Sequence, residues 1–457
     1  MAQKKKGSSP PHTLRFAAAL ASLLALSCTL FERKPAILWT DTPEILIAVE
    51  MFNASQDRQL IEVHYEEDLP GSLSILPPEA GKAGPSLVLG RGLRTQALGD
   101  YFQSMEFLFG PFALPKSAFY PALLEGGATN KLQTLIPVSF NLLLVLTAKG
   151  AAIQNSLDGM ADLEVPPVDE TVITMDEIQR RASLFTAASK GVDERIGFSP
   201  RWPDEDFLFQ WVQLSGAAFG EANPKPDWRS QNGASRALSW DPEGLEAAVA
   251  SLRAYVSATN GSAAAEDAYA FKYLFAPGYK NVETGKILFA AMKSADFFTL
   301  PPVLRYRYDY RYFSEKERLA ISEDIRYAGI PKSAPNRASA RRFLRWFFDA
   351  EHQKEILEKS LSLRLSESAF GIAGGFSAIQ NVAETTMPGY YADLVGHIPP
   401  NTMVLPPETM PPRWPVLKDE FVLPWLVAAA GENLDAPIDK AFSTSLQAYL
   451  DKNPDLR

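Results

Sequence analysis

From residue 36 onward the apolar positions fall into alternating strand-like and helix-like periods. Ala36-Ile-Leu-Trp39 predicts a first buried strand. Thr40-Asp41-Thr42-Pro43 reads as a turn into a helix, with Asp41 or Thr42 as the cap and Pro43 in the first turn. Ile45, Ala48, Val49 and Phe52 then recur at helical spacing. Residues 60–65 alternate as a half-exposed strand, and Ser86-Leu-Val-Leu89 forms a third short strand ending at Gly90. Strand, helix, strand and a further strand is the opening of an α/β fold with a mainly parallel sheet.

The longest strand-like run is 136–147. A helical middle follows at 205–216 and 242–257, and strand character returns at 285–294. Residues 333–359 predict one strong helix, with Asn336 as cap and Ala340, Phe343, Leu344 and Phe347 on one stripe. The chain closes on an amphipathic helix whose shared face is Ile438, Ala441, Phe442, Leu446, Tyr449 and Leu450. No repeat of fixed period is present. Loops are expected at 69–84, 260–265 and 386–412.

Length changes the picture first. At 457 residues the chain exceeds one ordinary core, so two or three domains or two interwoven lobes are expected. The balance is acidic, 45 basic against 54 acidic residues, which argues against nucleic acid as partner. The strip 305–312 alternates charged residues, three Arg and Asp309, with Tyr, but its tyrosines share one strand face and its charges the other, and inter-lobe strand pairing explains it better than base stacking.

The N-terminus has the pattern of a targeting segment. Lys4, Lys5 and Lys6 form a basic region, 14–26 is apolar but too short to span a bilayer comfortably, and Cys28 is the single cysteine. One cysteine excludes an internal disulfide and a thiolate metal cluster. Ala25-Leu-Ser-Cys28 resembles a bacterial lipobox, which implies a signal at 1–27, lipid on Cys28 and a tether over 28–35. A plain secretory signal with an incidental cysteine, or an uncleaved anchor, is the alternative.

Several segments together resemble family 1 extracellular solute-binding proteins, the maltose-binding type that feeds ABC importers. They are 37–44 leading into Ala48-Val-Glu-Met-Phe-Asn53, Gly84-Pro-Ser-Leu-Val-Leu89, Ile136-Pro-Val-Ser-Phe-Asn141, Gly285-Lys-Ile-Leu-Phe-Ala-Ala-Met292, and 329–340 running into Phe343 and Gln353. Ser86 stands where that family usually has Asp. The resemblance implies a two-lobed periplasmic-binding-protein type II fold, each lobe a mainly parallel sheet flanked by helices, closing on a ligand by hinge motion. It implies lobe one at 36–137 plus 303–362 and lobe two at 138–302 plus 363–457. The implied role is extracytoplasmic capture of a small solute, a carbohydrate first, for ABC permease subunits, with the membrane reached through the lipid anchor.

Sugar recognition calls for flat aromatic faces and bidentate polar groups. On the family's positions the candidate ligand contacts are Asp41, Thr42, Arg91, Ser139, Asn141, Ser199, Trp202, Ser294, Asp296, Phe297 and Trp414, with Asp204 and Phe298 beside them. Each has a structural counter-reading: capping for Asp41, a solvated surface for Arg91, core packing for the aromatics. Trp414, between prolines at 412 and 415, is the strongest single candidate. No cofactor or metal is expected, because the four histidines share no ligand spacing. No Walker loop, His-Glu-x-x-His or Gly-x-Ser-x-Gly occurs, so no enzyme is expected. A structural or adhesive surface lipoprotein, and an anchored glycosidase using two carboxylates, are the alternatives.

Overall fold

The computed structural model describes residues 35–57, 60–75, 84–110, 113–149, 171–187, 195–202, 207–222, 238–273, 276–431 and 437–456. The targeting segment, Cys28 and Asp204 lie outside the described residues.

Eleven strands build two sheets. In chain order they are β1 (Ala36–Thr40), β2 (Ile61–Tyr65), β3 (Leu87–Gly90), β4 (Ile136–Phe140), β5 (Leu143–Ala148), β6 (Val172–Ile173), β7 (Ala290–Lys293), β8 (Tyr308–Glu315), β9 (Arg318–Leu319), β10 (Arg326–Gly329) and β11 (Phe376–Ser377). The first sheet runs β11-β4-β10-β3-β1-β2 and the second β7-β5-β8-β9, with β6 beside β8. β1 is an interior strand with Ala36, Leu38 and Thr40 buried on one face, while Trp39 is half-buried on the other. β5 is buried at all six positions, the signature of a strand covered on both faces.

The mainly parallel sheet expected for each lobe is corrected by the pairing. Only β1–β2, β1–β3 and β6–β8 are parallel. The other pairs in both sheets are antiparallel. One cause is local: Lys316 and Glu317 both take positive φ, 49° and 58°, so a two-residue turn returns β9 against β8. The other is topological, because chain segments crossing between sheets in opposite senses lie side by side. Pro137, which has no N–H to give the ladder, sits at a register shift between β4 and β10.

The run 136–147 is two strands, not one. It breaks at Asn141-Leu142, where the chain leaves the first sheet for the second. Strand membership also departs from the expected lobe limits: 138–140 and 376–377 lie in the first sheet, and 308–319 in the second. Tyr308 to Tyr312 pair residue by residue with Ala148 to Leu144, which fixes that segment to the second sheet. Tyr308, Tyr310 and Tyr312 are buried there, so they present no face to a nucleic-acid base.

Several elements depart from the periodicity; the loop expected over 260–265 is already helical from Ala263. Leu69–Ile75 is helical where a loop was expected, and 285–294 is a strand only from Ala290. The helix expected over 333–359 is two, α1 (Arg337–Phe347) and α2 (Ala350–Ser362). Asp349 separates them by accepting from the backbone N–H of Glu351 and His352. Asn336 makes no capping hydrogen bond; it takes φ 50° and donates to the Pro35 carbonyl at 3.3 Å. The last helix, α3 (Ile438–Lys452), buries Ile438, Phe442, Leu446 and Leu450.

Two apolar cores result. One surrounds the first sheet and continues along the tyrosine face of β8. The other gathers 207–219, 245–255, 414–430 and α3. Phe442 is its ring hub, 4.9 Å from both Trp240 and Trp425 and 5.5 Å from Phe219.

Candidate functional site

Where the chain crosses between sheets, three of the candidate ligand residues meet. Asn141 donates through Nδ2 to the Gly374 carbonyl at 2.9 Å and accepts from Ser294 Oγ at 2.9 Å. Ser294 Oγ in turn accepts from the Leu142 N–H at 3.1 Å. Ser139 Oγ donates to the Ala373 carbonyl at 3.1 Å. All three are buried, and these bonds hold the crossing itself together.

Asp41 is committed at the end of β1. It accepts from the Arg91 N–H at 3.2 Å, Arg91 Nε at 2.9 Å and Thr42 Oγ1 at 2.9 Å. Burial works against the Arg91 charge, but the charge and hydrogen bond of Asp41 outweigh it, so its pKa is raised. Gly90 is required here: a Cβ would lie 2.4 Å from Asp41 Oδ1. Arg326 Nε donates to Thr42 Oγ1 at 3.1 Å.

Ser199 belongs to a buried network inside the second core region. It accepts from the Arg201 N–H at 3.1 Å. Arg201 pairs with Glu266 at 2.9 Å, and Asn260 donates to the same carboxylate at 2.6 Å. Burial pushes the Glu266 pKa up, against the lowering effect of Asn260, Arg201 and Ser199. Trp202 stacks on Tyr269, centroids 5.8 Å apart and planes within 16°. Phe297 is fully buried 5.0 Å from the Tyr310 ring, and Asp296 is exposed.

Trp414 is buried rather than presented as a platform. Its ring lies 5.1 Å from Phe209, and Nε1 donates to Glu323 Oε2 at 2.9 Å. Lys418 Nζ reaches the same oxygen at 3.0 Å. This cluster backs a cavity of about 260 Å³. Phe209, Gln210, Leu319, Ile321 and Met410 give it apolar and amide surface; Lys316, Arg318, Glu323 and Glu408 give it charge. Mainly apolar walls with a few convergent polar groups are the usual make-up of a small-molecule site.

The wall at 405–410 is tied to the loop that follows β3. Arg94 donates to the Pro407 carbonyl, and the Gln96 N–H donates to Glu221 Oε2 at 2.8 Å. Glu221 itself donates its N–H to the Thr409 carbonyl at 2.6 Å. The first sheet's loop and the second core's rim are thus in contact beside the cavity. None of the eleven candidate residues lines it; Trp414 stands one layer behind, through Phe209 and Glu323. Phe209 and Gln210 lay inside the helical run expected at 205–216 with nothing to mark them as ligand contacts, and Glu323 stood in a segment with no periodicity. Among the described residues no group of three His, Cys, Asp or Glu is placed to hold a metal, and no helix is long and apolar enough to cross a membrane.

No family model matches the chain, and no curated protein matches it by sequence. Solved structures do. A cyclic alpha-maltosyl-1,6-maltose binding protein from Arthrobacter globiformis aligns with TM-score 0.59 and 13% identity, covering 91% of this chain and 98% of that one. An ABC substrate-binding protein from Listeria monocytogenes in complex with cycloalternan aligns with TM-score 0.56 and 13% identity, covering 93% and 100%. The two-lobed α/β fold of these substrate-binding proteins is the fold of this chain.

Proposed function

We propose that this chain, sharing its fold with two substrate-binding proteins, is an extracytoplasmic solute-binding protein that captures a small carbohydrate and delivers it to an ABC importer. The observation that carries the reading is the 260 Å³ cavity where the rim of the second core meets the loop after β3. The lining includes Ile321 and Glu323, in the stretch 320–325 that joins β9 of the second sheet to β10 of the first, so a solute held there bears on a segment that connects the lobes. No bond in the solute changes; the closed form is the signal a permease reads. Lobe one is the part built on the first sheet, lobe two the part built on the second.

The chain reaches the membrane through lipid on Cys28, two acyl chains being what stable anchoring requires. Cys28→Ser then moves the protein from the membrane fraction to the soluble fraction, and unchanged membrane attachment counts against the anchor. The binding reading is tested by a thermal-shift screen of mono- and oligosaccharides against the folded chain. A sugar present at 100 times its Kd stabilises by about 2.7 kcal/mol, a clear rise in melting temperature. A screen in which no sugar shifts the melting temperature removes the reading.

A further inference from the structure

Arg318 lines the cavity and is half-buried, and its side chain has no hydrogen bond, ion pair or ring contact among the described residues. Several buried cations elsewhere in the chain are answered by an acid: Arg201 by Glu266, Arg305 by Asp393, Lys418 by Glu323. Arg318, at the cavity, has no such acid among the described residues. Its backbone is held by the tight turn after β8, which pairs Glu315 with Arg318, so the guanidinium springs from a fixed point. Lys316, on the same turn, also lines the cavity, with Nζ on the Ser215 carbonyl at 3.2 Å. The Glu323 charge is already taken by Lys418, which leaves Arg318 as a free cationic fork against apolar walls.

Resting on the sugar reading above, we infer that the cavity selects an anionic single-ring sugar of the hexuronate type, with Arg318 the specificity-determining contact for its carboxylate. Size and chemistry both point there. The cavity's 260 Å³ equals the liquid volume of about nine waters, room for one pyranose ring with its substituents. A guanidinium matches a carboxylate with two parallel N–H···O bonds, and a partly desolvated guanidinium gains most from such a partner. Glu408, exposed in the lining, accepts from hydroxyls and so reads the part of the ring that carries no acid.

The test is calorimetric titration of the folded chain with glucuronate and galacturonate against glucose and galactose. At least one uronate binds more tightly than its matching hexose by about 10- to 100-fold, the range of a charge-assisted hydrogen bond. That preference falls as salt is raised. Arg318→Gln abolishes the preference while the melting temperature of the unliganded protein stays unchanged. Arg318→Lys keeps part of it, and Glu408→Gln, which removes a charge of the same sign as the uronate, does not lower the ratio. Hexoses binding as tightly as uronates, or a preference that survives in Arg318→Gln, overturn the inference and leave the sugar reading standing. Binding of neither class overturns both.

Discussion

Glu323 joins the crossing segment to the C-terminal part of the second core, and its removal from Lys418 is the most informative perturbation of the fold. The two side chains are 11% and 10% exposed, and Nζ to Oε2 is 3.0 Å. At an effective dielectric of 20 the gross attraction at that distance is about 5.5 kcal/mol, most of it offset by the desolvation of both groups. Breaking such a pair by deleting one partner costs about 3–5 kcal/mol, because the survivor stays buried without its counter-charge. The remaining tenth of exposure places Lys418→Met at the low end, about 3 kcal/mol. Trp414 still donates to Glu323 in that variant, so part of the carboxylate's solvation is kept. Deleting both partners, Lys418→Met with Glu323→Gln, leaves no stranded charge and costs less than the two single changes together. The assay is urea unfolding followed by tryptophan fluorescence, with Trp414 beside the pair as reporter. A coupling of 1.5 kcal/mol or more in the double-mutant cycle is expected. Additivity within about 0.5 kcal/mol would refute the reasoning and make the pair a surface contact.

Phe442→Ala removes the ring hub of the second core and costs about 3–5 kcal/mol, read as a lower unfolding midpoint; a change under about 1 kcal/mol contradicts the packing described. Gly90→Ala drives a Cβ to 2.4 Å from Asp41 Oδ1 and breaks the Asp41–Arg91 pair, so it destabilises the first lobe, whereas an unchanged melting temperature means that this approach is not obligatory. Glu266 carries a raised pKa through burial, so its contribution to stability is full below its unfolded-state value and is lost as pH rises through the folded one. The stability of the native protein minus that of Glu266→Gln therefore falls as pH is raised from about 4.5, and a pH-independent difference contradicts the assignment.

Much of the fold was legible because it is written in short-range periodicity. The β1 run, the helix after Pro43 and the stripe of α3 all announce themselves in single windows of sequence. Strand partners are not local: nothing in 308–312 states that it pairs with 148–144, and only the positive φ at Lys316 and Glu317 turns β9 back. The candidate site was less legible for the same reason. Asn141, Ser139 and Ser294 were singled out as polar groups at strand ends, and they do converge, yet on one another and on backbone carbonyls. Trp414 carried a stiff, aromatic signature that fits a buried anchor as well as an exposed platform. Arg318 and Glu323 carried none, because the absence or presence of a charge partner is a property of the folded chain.

The central claim is that a sugar closes two lobes around the cavity beside Glu323. Small-angle X-ray scattering of the folded chain, with and without the sugar that raises its melting temperature most, tests it directly. Closure predicts a smaller radius of gyration in the saturated sample, with Glu221→Gln, which weakens the contact to Gln96, needing more sugar to reach it. A scattering curve that sugar leaves unchanged, in a sample shown by calorimetry to be saturated, contradicts the account.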